Sequence, residues 1–92
     1  MEKEKRLELY DWAIKKWGTE AQREMVFEEL GELITVLAQD RRGRVTKEEI
    51  LTELADVHIM VEQLALMLDF EGFEAEKDRK LSRLKDRLGN GI

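Results

Sequence analysis

The sequence predicts an all-α fold of about four helices, in a bundle completed by dimerisation. Three observations lead there. The 92 residues include no proline and only six glycines, so the chain lacks the punctuation that a turn-rich β protein needs. Apolar residues recur at steps of three and four, the spacing of an amphipathic helix. One segment, Ile50 to Leu68, is apolar round most of its circumference and must be buried on most sides. Three neighbouring helices, two of them short, cannot supply that cover, so a second subunit is expected.

The elements follow in order. Leu7, Tyr10, Ile14 and Trp17 mark one face of a first helix over roughly residues 2–17, which Gly18 stops. "TEAQ" at 19–22 has the Thr-x-x-Gln form of a capping box, so a second helix is expected from Thr19 to about Gln39. "DRRGR" at 40–44 interrupts the pattern with a glycine among charges. "TKEE" at 46–49 is a second capping box, opening a third helix that runs to about Asp69. "FEGFE" at 70–74 reads as the next turn, after which Leu81, Leu84 and Leu88 form the stripe of a fourth helix ending near Gly89.

Length and composition set further bounds. Residues 1–92 form one domain, without an internal repeat or linker. With 42% hydrophobic and 40% charged residues, and no run near the ~20 apolar residues of a spanning helix, a soluble protein with no membrane partner is expected. No cationic, apolar leader opens the chain, and a cytoplasmic location follows as the default. The absence of cysteine excludes disulfides and thiolate metal sites. A net charge of −5 argues against a protein whose task is to neutralise a nucleic-acid backbone.

Four acids fall where the pattern calls for core. At about 100° per residue, Glu29 is flanked on its helix by Met25, Leu33 and Val36, with Glu32 at the rim of the same face and Glu28 further round. Glu53 is bracketed in the same way by Val57, Met60 and Leu64, with Asp56 about 60° away. An unpartnered buried carboxylate costs several kcal/mol even after relaxation, and four together repel one another. Neither face carries a lysine or arginine to compensate. A hard divalent cation, Mg²⁺ or Mn²⁺, is the better counter-charge, because such ions prefer carboxylate and water oxygens; the alternative is that the helix phase is misassigned and these are solvated faces.

The stretches "WGTEAQREMVFEELGELITVL" and "EILTELADVHIMVEQLALM" closely resemble the MazG-like branch of the all-α nucleoside triphosphate pyrophosphohydrolases. That family is marked by EExxE, a spacer, then ExxD. Here EExxE falls at Glu28, Glu29 and Glu32 and ExxD at Glu53 and Asp56, with twenty residues between. The resemblance covers about residues 10–70. It implies a homodimer or tetramer, Mg²⁺ dependence, and hydrolysis of (deoxy)nucleoside triphosphates between the α and β phosphates to a nucleoside monophosphate and pyrophosphate, a nucleotide-pool housecleaning activity. By motif position Glu29, Glu32, Glu53 and Asp56 would be metal ligands. Glu28, one residue before the first of them, either orients or deprotonates the attacking water or is an exposed helix glutamate.

Other residues carry weaker signals. The last helix is locally basic, and Lys80 and Arg83 are its candidates for gripping phosphates; a solvated charged face is the alternative. Arg41, Arg42 and Arg44 form a second basic group, for phosphate contacts or for solubility. Trp17 extends the first helix's stripe and is expected in the core, with base stacking as its functional alternative, while Trp12 points away from that stripe. His58 is expected to be packed or at an interface. A ferritin-like di-iron site needs two Glu-x-x-His pairs, and the single histidine is preceded at that spacing by Ala55. A non-catalytic helical interaction module, and an alarmone hydrolase or a dUTP- or dCTP-specific one, remain as alternatives.

Overall fold

In the computed structural model, which describes residues 1–89, the chain is all-helical: α1 (Lys3–Trp17), α2 (Thr19–Asp40), α3 (Lys47–Leu68) and α4 (Phe70–Leu88). The expected domain's last three residues lie outside the described ones. No helix among the described residues is long and apolar enough to cross a membrane.

The first helix carries Glu4 in its first turn and Lys15 and Lys16 in its last, each sign set against the helix dipole. It ends where Gly18, at φ 94°, donates its N–H to the Ile14 carbonyl at 2.8 Å. That conformation suits glycine, which has no Cβ to strain. Helix α2 then starts at once, and this changes the role of the TEAQ stretch. Gly18 occupies the cap position and Thr19 is already the first helical residue, so the expected Thr19–Gln22 capping box does not form. Gln22 is buried and donates Nε2–H to Gln63 Oε1 on α3 at 2.7 Å.

The second expected box does form. Thr46 Oγ1 accepts from the Glu49 N–H at 3.2 Å and Glu49 Oε2 accepts from the Thr46 N–H at 3.0 Å, satisfying two amides at the start of α3. At the other end of α3 the expected turn at 70–74 is instead the first turn of α4. One extended residue, Asp69, joins the two helices and caps the second, its Oδ1 accepting from the Gly72 N–H at 3.0 Å. A side chain at residue 72 would collide with the Asp69 carboxylate, so this glycine makes room for a cap and does not break the helix.

Helices α2 and α3 form the main pair. They run antiparallel, since Gln22 meets Gln63 while Glu29, further along α2, meets Glu53 and Asp56, earlier on α3. Helix α1 crosses the far end of α3, where Arg6 and Tyr10 bind Glu62. Helix α4 packs on α3 and does not approach α2; Lys3 on α1 ties its first turn down through Glu74 at 2.5 Å.

The buried apolar residues are few: Tyr10, Val26, Met60, Ala65 and Phe70. The radius of gyration is 15.9 Å, against about 12 Å for a compact domain of this length. Trp17, expected in the core, is 59% exposed; it lies about two turns beyond Tyr10, past the point where Arg6 and Tyr10 hold α1 to Glu62 of α3. His58 is exposed within the chain, as are Leu51, Leu54 and Ile59 on the helix expected to be covered all round. On α2, Phe27, Leu30, Ile34 and Leu37 are exposed at alternating steps of three and four, the spacing of a helix–helix seam.

Candidate functional site

Helices α2 and α3 bring three of the four motif acids to one point. Glu29, Glu53 and Asp56 are half-buried, and one carboxylate oxygen of each lies within 4.8 Å of the others. The pairing follows from local geometry: Glu53 and Asp56 are one turn apart on α3 and so share a face, and the antiparallel register sets Glu29 opposite them. Glu32 is exposed at the rim, yet its charge acts on both Glu29 and Glu53, which makes it part of the same group. Glu28 is exposed and lines an open hollow beside the acids, together with Gly31, Glu32, Thr35, Val36 and Glu53.

The electrostatics are unfavourable as they stand. Glu29 Oε2 and Glu53 Oε2 are shielded from solvent and accept no hydrogen bond. None of the four acids pairs with a lysine or arginine among the described residues. Burial raises the Glu29 carboxyl above the usual carboxylate range, and the charges of Glu32, Asp56 and Glu53 raise it further. The Glu53 carboxyl is raised by burial and then by Glu32 and Asp56. Buried polar atoms are almost always satisfied in native proteins, and two orphaned carboxylate oxygens facing the same group of acids call for a positive charge. An all-oxygen donor set with a water-accessible side fits Mg²⁺ or Mn²⁺.

No protein family, curated protein or solved structure matches the chain.

The remaining candidates from the sequence lie elsewhere in the chain. Trp17 lines a separate hollow on α1 with Leu9, Trp12, Ala13 and Lys16. Lys80 and Arg83 are exposed on α4 and line neither of the two hollows beside the acids. The single histidine, His58, is not among the grouped acids' neighbours in that triad.

One site escaped the sequence altogether. Glu62 is buried on α3, where it accepts from the Tyr10 hydroxyl at 2.6 Å and from Arg6 Nε at 3.2 Å and Nη2 at 3.4 Å. Burial pushes its carboxyl up, but the bonds from Tyr10 and Arg6 and the Arg6 charge together outweigh that and hold it below the ordinary value. Its partners lie 52 and 56 residues away along the chain, so no local spacing announces them. The only sequence signal is a pair of polar residues, Glu62 and Gln63, inside an otherwise apolar run.

Proposed function

We propose that this chain is a divalent-metal-dependent nucleoside triphosphate pyrophosphohydrolase of the MazG-like type, cleaving the α–β phosphate bond. The observation that carries the reading is the convergence of Glu29, Glu53 and Asp56 with two carboxylate oxygens buried and unpartnered. Its sequence counterpart is the EExxE and ExxD spacing.

Glu29, Glu53 and Asp56 would hold the metal, with Glu32 completing the set from the rim. When bound, Mg²⁺ supplies Lewis-acid polarisation of phosphate oxygens, a lowered pKa for water and neutralisation of the substrate's charge. Mounted on two packed helices, the acids would fix the position of the cation to which the anionic substrate is drawn. Glu28, exposed at the mouth of the hollow, is the candidate to orient the water or take its proton. In the step itself, the water oxygen bonds to the α phosphorus while the bond from that phosphorus to the bridging oxygen breaks. The bridging oxygen and its electron pair leave with pyrophosphate, and the water's proton passes to Glu28 or to solvent. No covalent enzyme intermediate is required.

The same reading takes the active form to be a homodimer or tetramer. It is supported by the small core of one chain, its extended shape, and the exposed seam of Phe27, Leu30, Ile34 and Leu37. Sedimentation at micromolar concentration then gives no appreciable monomer; a stable monomer would remove that part of the proposal.

The reaction is tested by supplying nucleoside triphosphates with Mg²⁺ in isotopically labelled water. Pyrophosphate and a labelled monophosphate are expected, because attack is at the α phosphorus. Orthophosphate as the sole early product, or label in pyrophosphate, would overturn the mechanism.

A further inference from the structure

Two hollows on the α2–α3 face share a wall. One, of about 520 Å³, contains Glu28, Glu32 and Glu53. The other, of about 380 Å³, lies toward the α2–α3 turn and contains Gln39, Arg44 and Thr52. Val36 and Glu53 wall both, so the second hollow adjoins the grouped acids at Glu53. Each is of the size that small-molecule sites occupy.

We propose that Arg44 grips the terminal phosphates of a triphosphate in that second compartment, an inference that rests on the pyrophosphohydrolase reading and names the residue that orients its substrate. The acids fix where the scissile end must sit, and the rest of the polyphosphate has to extend from there. A terminal phosphate carries the densest negative charge of the substrate and goes to a cation. Arg44 is the one cation lining either hollow among the described residues. It makes no ion pair with any described acid, so its guanidinium is available.

Its surroundings support the assignment. The turn that carries Arg44 is pinned: its N–H donates to the Gln39 carbonyl at 3.1 Å, and Gly43, at φ 67°, donates to the Asp40 carbonyl at 2.9 Å. The base of the side chain is thereby fixed beside the hollow. Gln39 brings an amide that can donate to phosphate. Thr52 donates its hydroxyl to the Glu48 carbonyl at 3.0 Å and serves as wall. Glu49 is the one opposing charge apart from Glu53, and its Oε2 is engaged with the Thr46 N–H in the helix cap. Arg41 and Arg42, in the same basic stretch, line neither hollow. A planar guanidinium also matches phosphate oxygens two at a time, which a lysine cannot do.

The test is calorimetric titration of the full chain with tripolyphosphate in excess Mg²⁺, a probe with three phosphates and no nucleoside. Wild type is expected to bind, Arg44→Ala to bind about tenfold or more weakly, and Arg44→Lys to fall between them. Arg42→Ala is expected within about twofold of wild type, since a rim charge outside the hollow contributes little. The melting temperature of Arg44→Ala, a surface change, is expected to match wild type. Unaltered binding by Arg44→Ala, an equal loss in Arg42→Ala, or no binding by wild type would each overturn the proposal. Pyrophosphate release with KM unmoved by Arg44→Ala would sink this inference and leave the reaction standing. Arg44-dependent binding of tripolyphosphate by a protein that hydrolyses no nucleoside triphosphate would do the reverse.

Discussion

Helix α3 buries carboxylates in two places and treats them in opposite ways. At Glu62 the acid accepts from a hydroxyl and from two nitrogens of a guanidinium, and its carboxyl is held below the ordinary value. About two turns earlier, Glu53 and Asp56 meet another acid from α2, have no donor among the described residues, and Glu53 is held above it. The first arrangement is complete without a ligand. It joins α1 to the bundle and needs nothing else. The second is unfavourable as it stands, and natural chains keep such arrangements at sites where something binds. Burial alone therefore does not separate the two kinds of acid here; the partners do.

The largest expected effect is on catalysis. Glu32→Gln or Asp56→Asn should lower kcat/KM by on the order of 10²-fold or more, because each removes a charged oxygen from the group proposed to hold the cation. Glu62→Gln should leave kcat/KM close to wild type wherever the protein is folded. A fall in Glu62→Gln as large as that in Asp56→Asn would erase the functional distinction between the two sites.

Stability should separate the sites by sign. Glu62→Gln leaves the Arg6 and Tyr10 donors facing a neutral amide and should destabilise by about 2 kcal/mol. Without divalent metal, Glu53→Gln removes an unpartnered charge and should be neutral or stabilising in a thermal melt. The pH dependence sharpens this. The folded-state carboxyl of Glu62 is depressed, so its contribution is present above the unfolded carboxylate pKa and is lost as pH falls through the folded one. Glu29 and Glu53 are raised, so metal-free protein loses their contribution as pH rises from the ordinary carboxylate range through their folded values. Glu29→Gln with Glu53→Gln should flatten that loss, whereas Glu62→Gln should flatten only the acid limb. Melts of the variants from below the ordinary carboxylate range up to neutral pH decide it.

The smallest expected effect is at Tyr10. Its hydroxyl is pushed up to about 12 by burial and by donation to the Glu62 carboxylate. Tyr10→Phe keeps the ring and loses that bond, and should cost about 1.5 kcal/mol. A spectroscopic titration should show one tyrosine resisting ionisation at alkaline pH, and this is the chain's only tyrosine.

The contrast also marks how much the sequence could tell. The number of helices, the Thr46–Glu49 cap and the four acids were legible because each is a local pattern, set by helical periodicity or a three-residue spacing. The Thr19 box failed because Gly18 took the cap position and Gln22 found a partner on α3. The 70–74 turn failed because Asp69 caps α4 across Gly72, and the glycine resembled a breaker. Glu62 was invisible because what makes it structural, Arg6 and Tyr10, lies on another helix. The grouping of Glu29, Glu53 and Asp56 could be anticipated because helical spacing alone sets each acid on the inner face of its helix.

The most direct measurement is a titration with Mn²⁺ in which the free ion is followed by electron paramagnetic resonance. Wild type should take up Mn²⁺ in the micromolar to millimolar range and rise in melting temperature by mass action. Glu53→Ala should lose both effects while staying helical, and Glu62→Gln should keep both. A wild-type protein that leaves Mn²⁺ free and melts identically with and without it would contradict the assignment of Glu29, Glu32, Glu53 and Asp56 as a metal site.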